Sequence, residues 1–494
     1  MRSPIVWKSL AFPLAFFMAG LSVGAGSASL PEEGGPAESM VRHPQVGVCT
    51  HLRKWDNEEI IGHLARSGVT WIRDDFFWKY IEKEKGVYQL PESYSKWLDL
   101  VHQAGLKVVA IFNGSNPLYA PDIYDPKAFS KAATEFARLT RGKVDVIEIL
   151  NEPANFGFSK HYGGQWNGME SDGSESAWVK KYVELLNESA AAIKKVNPEV
   201  KVIGLGSVTP VNFRQLAKGI APEVDGMVDH PYSFRLVPEQ VPFSDSEAIR
   251  TRDGIVTADA QGTFASQIRL YREQAAKHQG PRELWLTEWG WPTYHEAKAG
   301  GIYPGVTEAT QAKYILRRLF LSLGLGVDYT FVYDFVDDGR SPYDAEHHFG
   351  LLDADLKPKP SFHAVKRFTE LMAPYRPAAN ALDVTVFPIT NRPDAHPIVW
   401  DGAPFQAPGK VMVQQFQTDG GKKLVALWSG ERASGELHPL LADIEIRSNE
   451  PVLKMFRTDM MTGNREAMEF ENRGGRIFVQ KTSIPDYPVV LEIN

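Results

Sequence analysis

VGVCTHL (46–52), EEIIGHLARSG (58–68), VTWIRDDF (69–76), YSKWLDLVHQAG (94–105) and LKVVAIFN (106–113) follow one another along the chain, and their alternation decides the fold. The first, third and fifth are short runs rich in Val, Ile and Phe, which suit a pleated sheet. The second and fourth repeat apolar residues every three or four positions, the period of a helix with one buried face. A strand, a helix and another strand in succession make parallel neighbours, because only a crossover returns the chain to the same end of the sheet. The series continues through FSKAATEFARLT (129–140), VDVIEILNE (144–152), a helix around 179–196, VKVIGLGS (200–207) and a helix near Phe213. It then runs through DGMVDHPY (225–232), a helix around 264–277, ELWLTEWGW (283–291), a helix over 307–325, VDYTFVYDF (327–335) and a helix near 361–371. Eight strands, each followed by a helix, predict an α/β fold, a (β/α)8 TIM barrel over residues 43–372.

Loop lengths give the barrel a working face. Helix-to-strand connections are short, such as Arg66-Ser67-Gly68 and Asn197-Pro198-Glu199, whereas those after strands four, six, seven and eight (153–175, 233–260, 292–306 and 336–359) are long. All strand-to-helix loops leave at the C-terminal face, where barrel active sites sit, so these four are expected to wall a cleft. Beyond Pro374 the pattern becomes short alternating segments with turns such as Asp-Gly-Gly and Thr-Gly-Asn, which predicts an antiparallel β-sandwich over 373–494.

Before the barrel, Arg2 and Lys8 precede an apolar run from Leu10 to Val23 and the small residues Gly26-Ser27-Ala28. That order predicts a secretory signal over 1–28 with cleavage near Ala28, then a linker over 29–42, and hence a secreted or periplasmic protein. A membrane anchor competes, but the run is shorter than the roughly 20 residues a span requires, so no stable membrane insertion is expected. The single cysteine, Cys49, permits no disulfide framework, which suits a bacterial periplasm or medium. A net charge of −7 gives no attraction for nucleic acid. The 12 Trp, 17 Tyr and 26 Phe supply aromatic faces on which sugars stack, although core packing accounts for most of them. Oligomeric state is not readable.

Two carboxylates stand where chemistry is expected. Glu152 closes strand four in Asn151-Glu152-Pro153, and Glu288 ends strand seven in LTEWGW; the 136 residues between them hold three βα units, so the two strands face each other across the lumen. Cleaving a glycosidic bond needs such a pair, one protonated to assist departure and one ionised to meet the developing positive charge. Period-two alternation puts Glu148, Leu150 and Glu152 on one face and Ile147, Ile149 and Asn151 on the other, leaving Glu148 as an interior hydrogen-bond partner.

Asn-Glu-Pro on strand four with Thr-Glu-Trp-Gly-Trp on strand seven resembles the clan A, or 4/7 superfamily, glycoside hydrolases over about residues 43–372. The run Trp78…Ile81-Glu82…Gly86-Val87-Tyr88, the LTEWGW segment and FGLLDADLKPKPSFHAV (349–365) look most like family 39, especially its bacterial exopolysaccharide-acting subgroup. The resemblance implies Glu152 as general acid/base, Glu288 as retaining nucleophile, and Asn151 as partner of the sugar 2-hydroxyl. It implies Arg73 as the cation that keeps the nucleophile ionised, and His230 and Tyr232 as the strand-six pair, Tyr232 bonding Glu288. On chemical grounds a carboxylate beside a guanidinium and a phenol stays ionised, while one facing it in a drier wall is raised into the acid range. The structural alternatives are an ion pair of Arg73 with Asp74 or Asp75 and a satisfied buried His230.

Where many clan members place a Trp at the end of strand eight, this chain has Tyr333 and Phe335, so Trp289 or Trp291 is expected to supply the aromatic floor. Trp55, Trp78, Phe156, Phe158, Tyr162 and Trp166 are divided between sugar stacking and loop packing. Asp334, Asp337, Asp338, Asp344 and Glu346 with His347 and His348 have no recognisable ligand spacing, so a solvated loop is expected and neither a metal nor a cofactor. The expected activity is retaining hydrolysis of a β-linked polysaccharide or oligosaccharide. The alternatives are a catalytically silent carbohydrate-binding matrix protein and a transglycosylase using the same two glutamates.

Overall fold

The computed structural model describes residues 41–55, 57–296, 301–390, 397–434, 439–448 and 452–493. The expected signal, 1–28, lies outside them, as does the expected linker except Val41 and Arg42, where Arg42 Nη2 donates to the Ala104 carbonyl at 2.7 Å.

Strands β1 (His43–Cys49), β2 (Val69–Phe77), β3 (Lys107–Asn113), β4 (Val146–Ile149), β5 (Lys201–Ser207), β6 (Gly226–Asp229), β7 (Glu283–Trp289) and β8 (Tyr329–Val332) pair in parallel in sequence order, and β8 pairs with β1 to close the barrel. The chain returns through α1 (Asn57–Arg66), α2 (Glu92–Gln103), α3 (Pro126–Leu139), α4 (Ala177–Val196), α5 (Thr209–Lys218), α6 (Phe264–His278), α7 (Glu308–Gly324) and α8 (Pro360–Met372). None of the described helices is long and apolar enough to cross a membrane.

Helix α3 shows how local sequence sets these elements. The Asp125 side chain accepts from the Ala128 amide at 2.8 Å, satisfying a donor that the first turn leaves open, and Pro126 fits the position whose N–H is not needed. Phe129, Ala132, Ala133 and Phe136 then recur on one face and are buried against the barrel. The lumen is filled as well, by Trp71, Val109, Val146, Ile203, Trp285 and Phe331 among others. Gly47 and Gly226 make room for Phe331 and Trp285, since a Cβ at either would lie 2.4 Å from that ring. The barrel is therefore a packed core, and a ligand has only its rim.

The C-terminal region forms two antiparallel sheets and a separate hairpin. The six-stranded sheet runs β17 (Arg465–Ala467), β16 (Met455–Asp459), β20 (Val489–Ile493), β14 (Lys423–Ser429), β13 (Val411–Thr418) and β9 (Tyr375–Pro377). The four-stranded sheet runs β10 (Asp383–Pro388), β15 (Leu440–Arg447), β19 (Arg476–Ile484) and β18 (Glu471–Arg473). Val425, Leu427, Ile444, Ile446, Val489 and Leu491 meet between the sheets, as a sandwich requires. Strand β14 is buried on both faces: Leu424, Ala426 and Trp428 belong to the barrel's core. Trp428 Nε1 donates to the buried Glu239 at 2.8 Å, and Arg317 of α7 pairs with the same carboxylate. The hairpin, β11 (Ile398–Trp400) with β12 (Ala403–Phe405), pairs with neither sheet.

Candidate active site

Strand β4 stops at Ile149, three residues earlier than the pattern predicts, because Leu150 (φ 62°) and Glu152 (φ 40°) adopt left-handed conformations. This overturns the parity expectation. Both Asn151 and Glu152 reach the lumen rim beside Glu148, because the chain leaves the strand before alternation can separate them. Such conformations cost about 1–3 kcal/mol for a side-chain-bearing residue and cluster at functional sites. On the opposite wall, β7 loses regular pairing with β8 between Leu286 and Trp289, and Thr287 and Glu288 both contact the site.

Arg73, on β2, is buried at the centre. Its Nε and Nη2 donate to the two Glu148 oxygens at 2.8 Å each, Nη1 to Glu288 Oε2 at 3.0 Å, and Nη2 also to Asn151 Oδ1 at 2.7 Å. Its partners are thus Glu148 and Glu288, not Asp74 or Asp75. Glu148 has the interior hydrogen-bonding place expected of it. The second Glu288 oxygen accepts from Tyr232 Oη at 2.8 Å, so a guanidinium and a phenol hold one oxygen each. The Asn151 side-chain carbonyl is taken by Arg73.

His230 Nδ1 lies 2.8 Å from Glu152 Oε1 and 3.7 Å from Glu288 Oε2, and its Nε2 lies 3.0 Å from Thr287 Oγ1. Burial acts to lower the imidazole pKa, but the charges of Glu288 and Glu152 and the bond to Glu152 outweigh it and raise it. Burial acts to raise Glu152, yet His230 outweighs it, and the carboxyl is held below its ordinary value. This corrects the expectation of a raised Glu152: the imidazole 2.8 Å away outweighs burial. One oxygen of Glu152, one of Glu288 and a His230 ring nitrogen all lie within 4.8 Å of one another.

The aromatic expectations divide. Trp289 and Trp291 are fully buried, Trp289 Nε1 donating to Thr330 at 2.9 Å, so neither forms a floor; with Glu288 turned to the lumen, the next side chain is delivered into the core. Trp78 is buried too, stacked on Tyr119 with Nε1 donating to Glu82 at 2.7 Å. Tyr333 remains, half-buried between the edges of His51 and Phe349, with its hydroxyl donating to Glu346 at 3.2 Å. In the loop after β4, Phe158 is buried, Tyr162 bonds Asp122 at 2.9 Å and Trp166 lies under Arg252, while Phe156 is 56% exposed. Phe156 borders a hollow of about 290 Å³ shared with Phe77, Tyr124 and Asn151.

The acidic loop after β8 is not simply solvated. Asp334 and Asp337 are buried, Asp337 paired with Lys359 at 2.7 Å. Asp338 bonds His51 at 2.9 Å and Lys54 at 2.7 Å. Burial opposes protonation of His51, but Asp338 outweighs it and the imidazole is pushed up to about 9. Burial, then the charge of Glu288, pushes Glu346 up to about 7. Sequence reasoning gave no role to Thr287, which stands in the LTEWGW segment but makes its contact with His230 on another strand, nor to Tyr303, which stands in no motif and whose ring edges Tyr232 at 5.7 Å.

No family model matches the chain, and no curated protein sequence matches it. Among solved structures it resembles a family 39 glycoside hydrolase from the gut symbiont Bacteroides cellulosilyticus WH2, with TM-score 0.65 and 20% identity over 92% of this chain and 81% of that one. It also resembles a glucosidase from Croceicoccus marinus (TM-score 0.52, 12% identity, 93% and 97% of the two chains). The catalytic domain of a GH30 xylanase C from Talaromyces cellulolyticus is similar at TM-score 0.50 and 11% identity, over 92% and 98%. At these identities the likeness is one of fold.

Proposed function

We propose that the chain is a retaining glycoside hydrolase of the family 39 kind, cleaving β-glycosidic bonds of a polysaccharide or oligosaccharide with Glu288 as nucleophile and Glu152 as acid/base. The carrying observation is the spacing of the two carboxylates, whose nearest oxygens lie within 4.8 Å. Retaining enzymes hold their carboxyl groups about 5 to 5.5 Å apart, and inverting ones about 6.5 to 9.5 Å apart to admit a water between. The neighbours of the two groups support different roles. Glu288, facing Arg73 and Tyr232, attacks the anomeric carbon while Glu152 passes a proton to the departing oxygen; water, deprotonated by Glu152, then releases the sugar. The Asn151 amide donates to the 2-hydroxyl. The long loops after β4, β6, β7 and β8 support a polymeric substrate, and the charge and apolar order of residues 1–28 supports export.

The test is inactivation by a 2-deoxy-2-fluoro glycoside with a dinitrophenolate leaving group, followed by peptide mass spectrometry. The fluorine slows both steps and the leaving group restores only the first, so the label accumulates on Glu288. A label elsewhere, or an inverted first product by NMR, overturns the assignment. Product analysis with added acceptor sugar separates hydrolysis from transglycosylation.

A further inference from the structure

The hairpin β11–β12 belongs to the C-terminal region by sequence, yet it packs on the barrel loop that carries Tyr232. Ala403 and Phe405 bury Leu236 and Ile249. Gln240 Nε2 donates to the Gln406 carbonyl at 2.8 Å, and Arg252 pairs with Asp401. Gly262 lies so close beneath that a Cβ there would meet the Phe405 ring at 2.4 Å. Trp400 lies flat on Phe234, with ring centroids 5.2 Å apart and planes 5° from parallel. Phe234 sits beside Tyr232 (6.1 Å, 21°), and Tyr303 packs against both rings. Phe234 has φ 49°, a left-handed conformation that a residue with a side chain keeps only where its surroundings fix it. The rings of Trp400, Tyr232 and Tyr303 pack around Phe234, and the first of them comes from the hairpin.

We propose that Trp400 is a positioning residue for the nucleophile: by capping Phe234 it holds the turn after β6 that aims the Tyr232 hydroxyl at Glu288, 2.8 Å away. The proposal rests on the reading of Glu288 as nucleophile. Without the cap, Phe234 is free to relax to a commoner backbone conformation, and a two-residue shift in the turn moves the phenol. Glu288 Oε1 then loses the donor that orients it.

The experiment uses the full chain with Trp400→Ala, Trp400→Phe, Tyr232→Phe and the double variant Tyr232→Phe/Trp400→Ala, assayed on an aryl glycoside the unaltered chain hydrolyses. In Trp400→Ala, kcat falls about tenfold, the scale of a weakened hydrogen bond to a charged group, with KM nearly unchanged. Trp400→Phe, which keeps a flat ring, restores most of kcat. In the Tyr232→Phe background, Trp400→Ala adds little, because both changes remove the same bond. A loss confined to KM makes Trp400 a substrate contact and overturns the proposal, as do additive losses or none. A second readout needs no turnover: the Tyr232 hydroxyl proton, followed by NMR in tyrosine-labelled protein. Its downfield signal is present in the unaltered chain and in Trp400→Phe, broadened in Trp400→Ala and absent in Tyr232→Phe. If the unaltered chain hydrolyses no glycoside, the functional reading fails, while the proton signal still decides the positioning; a signal unchanged in Trp400→Ala overturns it.

Discussion

His230 Nδ1 and Glu152 Oε1 lie 2.8 Å apart, so the group read as the acid shares its proton with an imidazole. The last proton of the pair leaves at the raised pKa of His230, not at that of an isolated carboxyl. Activity in the first step is therefore retained below that pKa and lost as pH rises through it. In His230→Asn the proton has only Glu152 to occupy, so the basic limb of kcat/KM moves to lower pH, by about one unit or more. A basic limb that stays in place would show that the proton is held elsewhere.

Leaving groups separate the two glutamates. Glu152→Ala removes proton donation, which a sugar hydroxyl needs and a dinitrophenolate does not. Natural glycan turnover should collapse while the glycosyl-enzyme still forms from the activated substrate and accumulates. Azide needs no base, so it should restore turnover and give a glycosyl azide of retained configuration. Equal loss on both substrates with no azide effect would reduce Glu152 to substrate positioning.

Arg73 also bears on stability. Removing it leaves buried Glu148 without its cation, which costs about 3–5 kcal/mol. Arg73→Met should therefore unfold at a markedly lower denaturant concentration, measured by circular dichroism. Arg73→Lys should keep part of the stability but lose most activity, since one ammonium cannot bond Glu148, Glu288 and Asn151 from the positions of a planar fork. Equal activity in the Lys variant would show that only charge matters.

The barrel and the C-terminal sheets should melt together. Arg317, Glu239 and Trp428 are fully or almost fully buried, and Arg317→Met strands the Glu239 charge at a cost of about 3–5 kcal/mol. Calorimetry should show one transition in the unaltered chain and one, at lower temperature, in the variant. Two separated transitions in either would contradict a shared core.

The eight βα units were legible because strand and helix periods differ and each segment carries its own. Glu152 and Glu288 were legible because they stand at strand ends, and Arg73, Asn151, His230 and Tyr232 through the family resemblance of their motifs; the structure brings all six together. What the sequence concealed lies where local rules fail. The left-handed Leu150 and Glu152 break alternation, and the irregular end of β7 sends Trp289 into the core. The contact of Trp400 with Phe234 joins residues 166 positions apart, a distance at which no periodicity speaks.

Strand β14 answers to two cores at once. Its odd residues, Val425 and Leu427, fill the sandwich, and its even ones, Leu424, Ala426 and Trp428, fill the barrel. A slip of one residue would exchange the two sets, sending Trp428 into a space shaped for Val or Leu and withdrawing its indole from Glu239. Pairing register in the outer sheet is thus keyed from the barrel side. For anyone grafting this barrel onto another sandwich, the cut belongs inside the C-terminal region, with β14 travelling as part of the barrel.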